Sequence, residues 1–213
     1  MSAGGSSCFE ALELSGVSND KIHIITDRQC SGLETARTKG ISNELINFTN
    51  RAEFSKLAAQ SFKENNCSAV ILLFSRLVTS DLHQKFLTLN VHPSLLPAFP
   101  GFKAIERAAK SKAQYQGATL HKVDDEIDGG EIVVQTIYPI EENWGIKTLK
   151  QLSQIQKTIL ISWFLEKYFS SGSHQNIFAM DAKKWLVNPS FKNKAQYDYF
   201  ARKLLEFYPK SQI

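Results

Sequence analysis

The chain has 213 residues, 43% of them apolar and 11% aromatic, with a formal net charge of +4. That size and composition suit one folded domain with a substantial core and exclude a disordered or fibrous polymer. The lysines are interleaved with acids until they gather between Lys183 and Lys210, which reads as a solvated face rather than a nucleic-acid surface. The longest apolar runs, residues 69–74 and 158–165, are too short to span a membrane, and the start lacks the basic and apolar regions of a signal peptide. The expectation is a cytoplasmic protein with no membrane or nucleic-acid partner. Cys8, Cys30 and Cys67 are odd in number and widely scattered, so all three read as reduced thiols.

Residues 2–7, Ser-Ala-Gly-Gly-Ser-Ser, form a small-residue loop running into an apolar-periodic helix start at 9–14. Free N–H groups at such a start can receive a phosphate. Residues 21–26 read as a short buried strand in which His23 is a sheet residue. A turn at 27–32 and a helix over 33–39, stopped by Gly40, come next. A second strand over 43–48 leads to Thr49 and Asn50 as caps of a helix over 51–64, whose Phe54, Leu57, Ala58 and Phe62 recur at helical spacing and read as core. The most apolar strand, 68–74, passes through Ser75, Arg76, Leu77 and Val78 to a cap at 79–81 and a helix through Leu87. Strand, loop and helix alternate, which predicts an α/β fold with a doubly wound, mostly parallel sheet. Ligands of such sheets bind beyond the C-terminal strand ends, so the turns at 75–78 and 90–97 should share one edge.

Residues 90–101 read Asn-Val-His-Pro-Ser-Leu-Leu-Pro-Ala-Phe-Pro-Gly, a strand breaking into a proline-rich loop. Side chains alternate along a strand, so Asn90 and His92 point the same way. An amide donor beside a titratable imidazole suits a carbonyl about to carry negative charge, since one group stabilises the charge and the other moves the proton. A helix over 103–112 follows, burying Ile105 and Ala108 or Ala109, and then two strands at 118–123 and 131–139 joined by an acidic loop too short for a crossover helix. They should therefore be antiparallel. The loop, Asp124-Asp125-Glu126-Ile127-Asp128-Gly129-Gly130, ends in a Gly-Gly that lets backbone approach a neighbouring site, and Asp128 is expected to meet His92. Its acidic spacing fits neither a calcium loop nor a zinc site, so no metal is expected. Thr119 and His121 alternate with the core-facing Ala118 and Leu120 and fall near the same site. A long amphipathic helix over 148–169 carries Leu149, Leu152, Ile155, Ile159, Leu160 and Phe164 on its buried face. Residues 170–213 add a Ser-Gly-Ser linker, a strand-like 176–180 and a helix over 195–207.

The segments 90–101 and 121–130 together closely resemble the folate-dependent formyltransferases, and among them the glycinamide ribonucleotide transformylases. The resemblance spans roughly residues 2–187 and is dense from 88 to 140. It implies a Rossmann-like formyltransferase domain over 1–187, with a mostly parallel sheet and antiparallel strands in its C-terminal half. Residues 188–213 would be a C-terminal extension packed on or beside it. It also implies formyl transfer from 10-formyltetrahydrofolate to a phosphorylated amine, glycinamide ribonucleotide, with Asn90, His92 and Asp128 as catalytic residues and no metal. Arg76, Leu77, Val78, Val123, Asp124, Glu126 and Ile127 would bind the folate donor. Gly4, Gly5, Ser6, Ser7 and Pro93 would bind the acceptor, with Thr119 and His121 in support. A homodimer is compatible with the family.

Several departures bear on the acceptor. The family's phosphate loop follows a buried first strand for which this sequence has no residues, and its terminal Asn is Ser7 here. The family's Glu-His pair in the long helix falls on Ser153 and Gln154, where the glutamate would hold ribose hydroxyls. Another amine, such as a nucleotide-linked amino sugar, is therefore an alternative acceptor, and a folate-binding protein without turnover is an alternative of another class. Pro93 after His92 argues against the related hydrolase that releases formate.

Overall fold

The computed structural model describes Met1, residues 5–170, Tyr199, Arg202 and Lys203. The expected extension at 188–213 falls outside the described residues except for these last three. Short β-branched runs alternate with helices in the order α1 (Ser6–Ser15), β1 (His23–Thr26), α2 (Ser31–Thr38), β2 (Ser42–Leu45), α3 (Arg51–Glu64) and β3 (Ala69–Leu72). The chain continues through α4 (Ser80–His83), β4 (Leu87–His92), α5 (Ala104–Lys110), β5 (Tyr115–Lys122), β6 (Ile132–Pro139) and α6 (Ile146–Ser170). β1 and β2 pair in parallel, as do β3 and β4, whereas β4, β5 and β6 are antiparallel neighbours. This is the α/β arrangement anticipated, with its antiparallel strands in the second half. The hairpin from β5 to β6 is made by the acidic loop, as its length required.

Sheet continuity breaks between β1 and β3, which are not hydrogen-bonded to each other and leave two separate sheets. A cavity of about 470 Å³ lies between them, lined by Ile24, Val70, Ile71, Phe164 and Tyr168 among others. Met1 enters its end: its nitrogen donates to Ile25 O, and its carbonyl accepts from Asp27 N at 3.4 Å. That pair of bonds is one rung of a parallel ladder on the free edge of β1. Among the described residues no strand joins β1 to β3.

The main core forms where α1 and α6 lie together on the sheet. Phe9 and Leu12 of α1 meet Leu160, Ile161 and Phe164 of α6 above Leu89 and Leu120. A smaller cluster joins Ile25, Ile46, Phe54 and Ala58 under α3. The cap of α3 is as expected: Asn50 Oδ1 accepts from Glu53 N at 3.0 Å and Glu53 Oε2 accepts from Thr49 N at 2.7 Å.

Three local expectations change. Leu57 is 38% exposed, because the buried face of α3 runs through Phe54, Ser55, Ala58, Ala59 and Ser61. The helix expected through Leu87 stops at His83, since Leu87 opens β4 by pairing with Ala69 and the chain must extend to reach it. In α5 Ala108 is buried, while Ile105 is only partly covered and Ala109 is exposed. His23 is a sheet residue, its ring nitrogens 2.8 Å from Ser42 Oγ and 3.0 Å from Ser61 Oγ. The three cysteines are free thiols, and burial pushes that of Cys8 up to about 11.

Candidate active site

The site begins with strand register. Asn90 and His92 alternate on β4, and antiparallel pairing sets His121 opposite Asn90 and Thr119 opposite His92. Four polar side chains therefore share one patch at the end of β4. Thr119 is spent on structure, since its hydroxyl donates to Ser94 O at 2.7 Å and accepts from Leu96 N at 3.1 Å. These bonds hold the proline-rich loop against the sheet. Ser94 Oγ tightens the same loop by donating to Ala98 O at 2.5 Å.

Asp128 arrives from the β5–β6 loop in the left-handed region, at φ 56°. The turn behind it needs Gly130, where an added Cβ would lie 2.0 Å from Lys122 O. The carboxylate spans the site: Oδ2 is 3.0 Å from His92 Nδ1 and accepts from Gly101 N at 2.7 Å, and Oδ1 is 3.4 Å from His121 Nε2. Burial opposes its ionisation, but the contacts with His121 and His92, the Gly101 N–H and the nearby His92 outweigh it. They hold the carboxyl well below the usual carboxylate range.

Both ring nitrogens of His92 face acceptors, Nε2 at 2.9 Å from Phe99 O and Nδ1 at Asp128. His121 Nδ1 is 2.8 Å from Lys122 O and its Nε2 is 3.2 Å from Asn90 Nδ2. One nitrogen cannot accept from Asn90 and donate to Asp128 together. His121 Nε2 either takes an Asn90 N–H or gives a proton to Asp128, and in the second arrangement that N–H is free for the cavity.

The cavity itself measures about 750 Å³, within the range of small-molecule sites. Asn90, His92, Pro93, His121 and Asp128 line one part of it. Arg76, Leu77 and Val78 line another, and Val123, Asp124, Glu126 and Ile127 a third, so the residues expected to hold the donor face the expected catalytic group. Arg76 is fixed by Asp27 at 3.3 Å and lies over the Phe48 ring. Three exposed apolar side chains rim this cavity, Leu77 at 37%, Phe102 at 68% and Ile127 at 52%. Apolar surface left open at a cavity rim marks a place where a small ligand can cover it.

The expected phosphate loop is placed elsewhere. Gly5 caps α1 at φ 64°, and Ser7 is buried with its hydroxyl 3.2 Å from Gln154 Oε1. Gln154 Nε2 in turn donates to Ser6 Oγ at 3.3 Å, and neither serine lines the 750 Å³ cavity. Gly4 lies outside the described residues. Two cavity residues had no signal in the sequence. His83 reaches Asp125 Oδ1 at 3.4 Å and ties α4 to the acidic loop. Lys157, on α6, reads as the polar side of an amphipathic helix yet lines the cavity half-buried, with burial pushing its ammonium pKa down.

The formyl transferase family profile matches residues 2–162. The chain belongs to the formyl transferase family. The human trifunctional purine biosynthetic protein adenosine-3 is 32% identical over 142 residues, which cover 63% of this chain and 14% of that protein. The phosphoribosylglycinamide formyltransferase of Bacillus subtilis is 32% identical over 107 residues, 49% of this chain and 55% of that one. A formyltetrahydrofolate deformylase from Haemophilus influenzae is 27% identical over 114 residues, 52% of this chain and 41% of that one. Among solved structures, the phosphoribosylglycinamide formyltransferase of Bacillus halodurans superposes with a TM-score of 0.73 at 26% identity, covering 83% of this chain and 98% of that one. No helix among the described residues of this formyl transferase family member is long and apolar enough to cross a membrane.

Proposed function

We propose that the chain transfers a formyl group from 10-formyltetrahydrofolate to the amine of a small phosphorylated acceptor, glycinamide ribonucleotide, in purine biosynthesis. The observation that carries this reading is the linkage of Asn90, His92, His121 and Asp128 at one end of a cavity whose other walls are the turns at 75–78 and 123–127. The relatives named for glycinamide ribonucleotide chemistry supply the acceptor. The donor brings an electrophilic formyl carbon, and the protein's work is to place charge and protons around it.

Asn90 Nδ2 donates to the formyl oxygen as it gains negative charge, once His121 has released that N–H. The acceptor nitrogen forms the new C–N bond, and the bond between the formyl carbon and the folate nitrogen breaks. His92 turns Nε2 away from Phe99 O, gives a proton to the departing folate nitrogen and takes the one lost by the amine. Asp128 keeps the ring oriented through Nδ1. Pro93, which follows His92 at the cavity wall, supports transfer over release of formate.

The test is steady-state formyl transfer with 10-formyltetrahydrofolate and glycinamide ribonucleotide. Asn90→Ala and His92→Ala, each checked for folding by circular dichroism, should lower kcat/KM by about 10² to 10³. Undiminished transfer by either folded variant overturns the roles, and no transfer by the parent chain overturns the activity. A second reading keeps the chemistry and changes the acceptor. It is favoured by Ser7 and Gln154, which bond to each other where the acceptor's phosphate was expected. A panel of amines separates the two.

A further inference from the structure

The cavity that holds Asn90, His92 and Asp128 also holds an ammonium that pairs with no carboxylate among the described residues. Lys157 lines that cavity from α6 and makes no ion pair or hydrogen bond with any described residue. Its neighbours along the helix are differently placed. Lys150 pairs with Glu106 at 2.8 Å, and Gln154 is engaged by Ser6 and Ser7. Glu10, the acid that α1 brings to this stretch, bonds to Thr158 Oγ1 at 3.3 Å and to Tyr199 at 2.5 Å. Withdrawing a cation from water without a counter-charge is costly, and the cost is recovered when a ligand brings the missing anion.

We propose that Lys157 is a specificity-determining residue of the acceptor subsite, its ammonium taking an anionic oxygen, phosphate or carboxylate, of the amine substrate. The inference rests on the formyl-transfer reading of this cavity and names the part of the acceptor that α6 recognises. The donor's expected walls are the turns at 75–78 and 123–127 with their apolar rim. Lys157 comes from the helix packed on α1 and is left to the second substrate. The serines expected to take the anion are bonded to Gln154 and lie outside the cavity, whereas Lys157 lines it from the same helix.

The experiment uses the full chain with Lys157→Met, which keeps the length of the stem, and Lys157→Arg, which keeps the charge. Three amines are compared, one bearing phosphate, one bearing carboxylate and one uncharged. Lys157→Met should raise KM for one or both anionic amines about tenfold to a hundredfold, with a much smaller change in kcat and in donor KM. The uncharged amine should be affected far less, and Lys157→Arg should restore most of the loss. Which anionic amine suffers identifies the group. An equal loss on the uncharged amine, or a loss confined to donor KM, overturns the proposal. Thermal shift with inorganic phosphate separates the two levels. If no amine is formylated but phosphate raises Tm for the parent and not for Lys157→Met, the formyl-transfer reading fails and the anion site stands. If transfer occurs and Lys157→Met changes no acceptor KM, the anion site fails and transfer stands.

Discussion

At the scale of single residues the site is a competition for protons. Asp128 is more acidic folded than unfolded, because the contacts with His121, His92 and Gly101 N–H outweigh its burial. A carboxyl whose folded pKa lies below its unfolded value of about 3.9 contributes stability above that value, lost as pH falls toward the folded one. Asp128→Asn should therefore flatten the fall of Tm between about pH 5 and pH 3. It should also lower formyl transfer by about 10² or more, since His92 loses the partner that orients its ring. An unchanged acid limb in a pH series of melting curves would mean that the carboxylate does not hold His92 in solution. Asn90, His92 and Asp128 were legible because strand alternation and a Gly-Gly turn leave marks in the sequence. Phe99 O and Gly101 N were not, because backbone groups have no letter. Lys157 was hidden by its helix: the 3.6-residue period that identifies α6 assigns every off-stripe lysine to solvent.

At the scale of elements, local chemistry was readable where it is self-contained. The start of α3 is written in Thr49, Asn50 and Glu53, and the helix runs over the expected residues. Asn50→Ala should cost about 1 kcal/mol and lower Tm by roughly 2–4 °C, measured by thermal denaturation. The end of α4 was not readable, because the pairing of Leu87 with Ala69 decides it and that contact is distant in sequence. The acidic hairpin depends on a glycine in a different way. Gly130→Ala places a methyl 2.0 Å from Lys122 O, and a backbone oxygen cannot step aside as a flexible side chain can. The loop must shift and carry Asp128 with it. The expected outcome is a loss of transfer of about tenfold or more with a smaller loss of stability, because geometry at the reacting centre is felt before the fold fails. Full activity in Gly130→Ala would show that the hairpin does not set the position of Asp128.

For the molecule as a whole, the division of the sheet is the dominant feature. Among the described residues β1 and β3 have no strand partner on the edge facing the 470 Å³ cavity, and apolar side chains from the sheet and α6 line it. Met1 alone of the described residues bonds to that edge of β1, with the hydrogen-bond pattern of a parallel neighbour. An extended segment running into Met1 would continue that ladder at about 3.3 Å per residue and bury its side chains on both faces. Each Val or Ile fully buried contributes about 1.5–3 kcal/mol, ordering its backbone takes back about 1–2 kcal/mol, and both free edges gain backbone partners, a net of roughly 2–3 kcal/mol for five residues. A chain extended before Met1 by five Val and Ile residues should melt about 5–10 °C higher than the parent, given about 2–4 °C per kcal/mol at this size. Hydrogen exchange should show the amides of β1 and β3 becoming protected, and a Gly-Ser extension of equal length should do neither. Equal melting temperatures for the two extensions would mean that the slot does not accept a strand, and that β1 and β3 are held apart by their helices alone.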